Sequence, residues 1–152
     1  MKDVIYISLG KLVVNYTSLE FFLSILFNTL KNTKTGGLTY IKDKGVFKTT
    51  EKIKNYSTEK IKDIETHEAL CSLMDKVNTV RGQRNTLLHS AFFQDSKTDK
   101  AIQVDILKTI ESSQNISKSI SENDINKVSK DTLNLISEIT FLILHLNQKL
   151  KK

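Results

Sequence analysis

Not one of the 152 residues is a proline, and only five are glycines. Proline removes a backbone donor and clashes with the turn before it, so a chain without it is free to run in long unbroken helices. The first 31 residues use that freedom. Ile5, Leu9, Leu12, Tyr16, Leu19, Leu23, Leu26 and Leu30 alternate spacings of four and three. That spacing lines one face of a helix from about residue 3 to residue 31. Val13, Phe22, Ile25 and Phe27 widen the apolar face, so this helix is expected to touch more than one neighbour.

Gly36-Gly37 should end this region, and residues 38–50 read as a polar connection containing Gly45. A weaker helix is predicted over 48–62, with Ile53, Tyr56 and Ile61 inward. A third, over about 65–90, carries Leu70, Leu73, Val77, Val80, position 84, Leu87 and Ala91 in steps of three and four. Phe92-Phe93-Gln94, a polar turn Asp95–Lys100 and the alternating Ile102, Val104 and Ile106 suggest a short β-hairpin. The last helix is expected to start at Ser121, an N-cap with Asp124 three residues on. Its stripe is Ile125, Val128, Leu135, Ile139, Leu142 and Leu146, and Lys149, Lys151 and Lys152 end it favourably for the helix dipole. The expectation is one all-α domain over residues 1–152, a four-helix bundle with a short β-hairpin inserted before the last helix.

Several function classes are disfavoured at once. The apolar stretches Phe21–Phe27 and Ile139–Leu146 are far shorter than the roughly 20 residues a membrane helix needs. Asp3 and Lys11 spoil a signal-peptide pattern, and the lone Cys71 cannot form an internal disulfide. A soluble, cytoplasmic protein is therefore expected. Cys71 should be buried and inert between Leu70 and Leu73, and His67 and His145 have no second ligand at a metal-binding interval. No metal and no cofactor are expected.

The net charge is +6, and one segment holds all of it. Nine lysines between Lys31 and Lys62 face only Asp43, Glu51 and Glu59, while the rest of the chain balances. Such a patch fits a polyanion, with Lys42, Lys44, Lys48, Lys52 and Lys54 as candidate contacts to an RNA backbone. A merely solvated lysine-rich face reads the same way.

Position 84 breaks the third helix's pattern, because an arginine stands where the stripe calls for an apolar residue. A buried guanidinium costs several kcal/mol unless it is paired. The chain has only two arginines, Arg81 and Arg84, one turn apart among 23 basic residues. Arginine appears here only where a planar, permanently charged fork differs from lysine. Asn85 and His89 follow, four apart and on one face, with Arg84 beside them. A histidine can move a proton, and an arginine can stabilise charge growing on phosphate oxygens. The bland alternative pairs Arg84 with Glu20 across the bundle and uses His89 to cap the helix end.

Arg84-Asn85-Thr86-Leu87-Leu88-His89, near the end of a long helix in a small bundle, resembles the motif of the HEPN superfamily: an arginine, a polar residue, and a histidine after four to six intervening residues. The resemblance implies a HEPN-type bundle and a metal-independent endoribonuclease of the toxin or defence type. It implies a homodimer whose two motifs meet in one composite site, with Arg84 and His89 catalytic and Asn85 supporting them. Arg81 would join the lysines on the RNA. A neutralising antitoxin or other regulatory protein is the further partner implied. Some members of the superfamily keep the bundle without the activity, which leaves a non-catalytic binding module as the alternative.

Overall fold

In the computed structural model, which describes residues 2–96, 98, 100–112 and 117–149, four long helices enclose the core and a small sheet closes one end. The helices are α1 (Lys2–Lys31), α2 (Gly37–Lys60), α3 (Ile64–Leu88) and α5 (Glu122–Lys149). Between α3 and α5 lie β1 (Ser90–Gln94), β2 (Ala101–Asp105), the short α4 (Ile106–Ser112) and β3 (Ser117–Ile120). The chain is thus mostly helical, with a three-stranded antiparallel sheet in the order β1-β2-β3.

The stripes read from the sequence form most of the core, except that α3 ends at Leu88, Ala91 lies half-buried in β1 and Leu142 is half-buried. On α1, seven of the eight stripe residues are buried, with Leu9 half-buried. Leu70, Leu73, Val77, Val80 and Leu87 are buried on α3, and Ile125, Val128, Leu135, Ile139 and Leu146 on α5. The helix ends follow their local chemistry. Asn32, at φ 57°, closes α1 in a Schellman arrangement, with Thr33 N donating to Asn28 O at 3.0 Å and Asn32 N to Thr29 O at 3.2 Å. Ser121 and Asp124 cap α5 reciprocally, Ser121 N donating to Asp124 Oδ2 at 2.7 Å and Asp124 N to Ser121 Oγ at 3.3 Å. Of the lysines expected at the end of α5, Lys151 and Lys152 lie outside the described residues.

The expected polar connection over residues 38–50 is helix. Gly36 caps α2 rather than ending α1, and α2 folds back on itself at Gly45, whose φ of 77° and ψ of 167° interrupt it. Phe27 of α1 stacks on Tyr40 from before the bend (4.9 Å) and meets Tyr56 from after it edge-on (5.5 Å). Both limbs of α2 therefore return to one end of α1. The sequence hides the first limb because it buries few apolar side chains, Ile41 among them. Gly37 permits the close approach, since a Cβ there would stand 2.4 Å from Ser24 O.

After the bend α2 runs antiparallel to α3, as Thr50 with Asn78 and Ser57 with His67 show. The ion pairs Lys76–Glu138 and Lys149–Asp63 set α3 antiparallel to α5. α1 lies beside α5 and α2, and Asn15 of α1 donates to Ser129 of α5 at 2.7 Å.

The expected hairpin forms, with Phe93 opposite Ile102, and β3 adds a third strand that the sequence did not announce. The inward face of β2 differs from expectation. Ala101 and Gln103 are buried, whereas Ile102 and Val104 are half-buried and Ile106 has left the strand for α4. α1 is, among the described residues, the one helix long and apolar enough by length and composition to cross a membrane, but its stripe is the centre of the bundle core.

Candidate phosphodiester site at the end of α3

The C-terminal third of α3 crosses the face where α1 and α2 meet it, which decides what surrounds its arginines. The Arg84 guanidinium lies 4.9 Å from the centre of the buried Tyr16 ring, and Arg81 lies 5.3 Å from that of Phe47. Both arginines are half-buried, and among the described residues neither forms an ion pair with a carboxylate. Four buried side-chain polar atoms among the described residues lack a hydrogen-bond partner. Two are Arg81 Nε and Arg84 Nε.

Glu20, the expected partner of Arg84, is close enough to sense its charge but does not reach it as an ion pair. Burial raises the Glu20 carboxyl above its ordinary range, and the nearby Arg84 only partly opposes this. Burial likewise pushes the Tyr16 hydroxyl up to about 12; Glu20 adds to the rise while Arg84 and Arg81 oppose it. Tyr16 is thus a neutral ring beneath Arg84, suited to a cation–π contact.

Asn85 joins the motif together. Its Oδ1 accepts from Arg84 Nη1 at 3.1 Å, and its backbone O accepts the N–H of His89 at 2.9 Å. His89 is the C-cap residue of α3 and its side chain is exposed. No hydrogen bond joins Arg84 to His89. The helix end is fixed from behind by Gln103, which is only 1% exposed and donates from Nε2 to Ser90 Oγ (2.7 Å) and Thr86 O (3.3 Å). Gln103 is the residue that sequence reasoning missed. Its signal was a polar side chain between Ile102 and Val104, at a position that pleat alternation could equally have turned inward.

The lysines divide. Lys42, Lys44 and Lys48 are exposed, the first two before the bend at Gly45 and the third after it. Lys52 lies over the Tyr56 ring at 5.0 Å. Lys54 is bound to Asp75 at 2.6 Å and to Glu51 at 3.5 Å, and the Asp75 hydrogen bond raises its pKa. The structure brings Arg81, Arg84, Asn85, Tyr16, Glu20 and Phe47 together, while Lys54 is already committed to carboxylates.

The other candidates also find their places. Among the described residues, no group of three or more His, Cys, Asp and Glu side chains could hold a metal ion. Cys71 is half-buried rather than fully buried, and its Sγ is 3.7 Å from Nε2 of His67, one turn earlier. His67 Nδ1 lies 2.9 Å from Ser57 Oγ, whose own proton goes to Lys54 O at 2.7 Å. Nδ1 must then carry the proton and donate to Ser57, which leaves the Nε2 lone pair for the thiol. The i,i+4 spacing of His67 and Cys71 was the overlooked signal. His145 lines a groove of about 580 Å³ between α3 and α5, with Leu73, Phe141 and Leu142 among its neighbours.

Comparison of the chain with family models, with curated proteins and with solved structures finds no match in any of the three.

Proposed function

We propose that this chain is a metal-independent endoribonuclease of HEPN type, acting as a homodimer in the cytoplasm. The observation that carries this reading is Arg84. It is a half-buried guanidinium in a helix seam, without a carboxylate partner among the described residues, five residues before an exposed histidine at the same helix end. A cation kept in that state is available to an anion from outside the chain.

In the proposed reaction the ribose 2′-oxygen attacks the adjacent phosphorus while the bond from phosphorus to the 5′-oxygen breaks. The products are a 2′,3′-cyclic phosphate and a free 5′-hydroxyl. One proton leaves the 2′-hydroxyl and one joins the departing 5′-oxygen, so a base and an acid are both needed. Each chain supplies one motif histidine, and two chains facing each other supply both roles. Arg84 stabilises the charge on the non-bridging oxygens, and Asn85 holds its fork in plane.

A second copy has a surface to meet. Ile7, Val14 and Phe21 give α1 an exposed apolar face opposite its buried stripe, with Val13 exposed beside it. An enzyme of this kind would threaten its own cell, so a neutralising or activating protein partner belongs to the proposal.

The decisive experiment incubates the purified protein with end-labelled RNA in excess chelator, beside Arg84→Ala and His89→Ala variants. Cleavage by the wild type alone, leaving cyclic-phosphate ends, supports the enzyme. The stacked position of Arg84 on Tyr16 favours the non-catalytic module if cleavage is absent and Arg84→Ala melts well below the wild type.

A further inference from the structure

Phe47 stands out among the residues around the arginines. Its neighbour Val46 is buried, as a helix facing the core demands, yet Phe47 itself is 45% exposed in the most lysine-rich part of the chain. The bend at Gly45, two residues earlier, turns it toward α3. There Arg81 lies over the ring at 5.3 Å from its centre, and Lys48 lies at 5.9 Å. A half-exposed aromatic ring with two cations over it has the composition of a base-stacking platform, a base taking the part of the ring that is open to solvent. The ring takes the π-face of a base, and the cations take the phosphates on either side.

Arg81 forms no ion pair among the described residues, so its charge is open to a phosphate from outside the chain. The spacing also fits. Eight residues of helix separate Arg81 from His89, a rise of about 12 Å at 1.5 Å per residue, which is the reach of a few nucleotides along one strand.

We propose that Phe47 stacks on an unpaired base of the bound RNA while Arg81 and Lys48 hold the flanking phosphates, a few nucleotides from the scissile bond at Arg84 and His89. This rests on the ribonuclease reading for its scissile bond, but the stacking contact is measurable without turnover. A strand held this way must present its base, so duplex RNA and base-free polyanions engage the lysines but not the ring.

The chain contains no tryptophan, so Phe47→Trp installs a single fluorescent reporter at the proposed platform. It is titrated with a single-stranded oligonucleotide RNA, with the same sequence as a blunt duplex, and with inorganic polyphosphate. The proposal expects quenching of the tryptophan by the single strand and little by the other two. Affinities of wild type, Phe47→Trp and Phe47→Leu for the single strand are measured beside these. Leucine keeps an apolar side chain and loses the stacking face, and a loss of about tenfold is expected, with tryptophan retaining wild-type affinity. Equal quenching by polyphosphate, or an unchanged affinity in Phe47→Leu, overturns the proposal. Cleavage that ignores Phe47 refutes the platform and spares the ribonuclease. Stacking without cleavage spares the platform and refutes the ribonuclease, and failure of the wild type to bind RNA refutes both.

Discussion

At its N-terminal end α3 begins under an Asp63 cap, and several polar groups near it are partnered within the chain. Asp63 accepts from Thr66 N, His67 is wired between Ser57 and Cys71, and Asp75 holds Lys54. At the C-terminal end the same helix carries two arginines with unpartnered Nε atoms, no carboxylate within ion-pair distance among the described residues, and an exposed histidine. Both ends place half-buried polar side chains against α2, His67 on Ser57 and Arg81 on Phe47, so burial alone does not explain the contrast. The difference shows that polar residues satisfied from within belong to the fold. The two arginines at the C-terminal end lack such internal partners, which makes that end the candidate site.

Substitutions at the two ends should therefore give opposite results. The largest effect is expected for His89→Ala, with turnover on RNA falling roughly 10²–10⁴-fold while the thermal midpoint stays at the wild-type value, because the side chain is exposed. Arg84→Lys keeps the charge but loses the planar fork. A clear loss of turnover with native helicity by circular dichroism is expected there, and full activity would reduce Arg84 to a simple point charge. His67→Ala should invert the pattern, leaving turnover unchanged and lowering unfolding free energy by about 1 kcal/mol in denaturant titration. Gln103→Leu probes the boundary between the two behaviours. It removes the donors to Thr86 O and Ser90 Oγ and should cost about 1 kcal/mol.

The smallest effect is a pH dependence at the helix caps. Hydrogen bonds from Thr66 and Ser121 hold the carboxyls of Asp63 and Asp124 below their ordinary value of 3.8. A depressed carboxyl binds its proton more weakly in the folded chain than in the unfolded one, so its contribution is complete above that value and is lost as pH falls below it. Ser121→Ala should flatten part of that acid limb, and an unchanged profile would show the Asp124 cap to be inconsequential.

Much of this architecture was legible because burial repeats with the helix. The stripes on α1, α3 and α5 and the Ser121–Asp124 cap are periodic or local signals, and each occupies the place its spacing predicts. Arg84 was legible for the same reason, as the one charged residue in a seam. The first limb of α2 was not, because Gly45 breaks its period. β3 was not, because Ser117, Lys118 and Ser119 are exposed and become a strand only by pairing with β2.

The sequence by itself determined which helix faces are apolar, where the caps fall, and that arginine rather than lysine stands at 81 and 84. Those properties depend on neighbours within a turn or two. Only the tertiary structure decided that Glu20 stops short of Arg84, that Phe47 meets Arg81, that Lys54 is spent on Asp75, and that Gln103 turns inward to fix the end of α3. Each is a contact between residues far apart in the chain, set by the bend at Gly45 and by how the helices and sheet pack, and no local spacing encodes it.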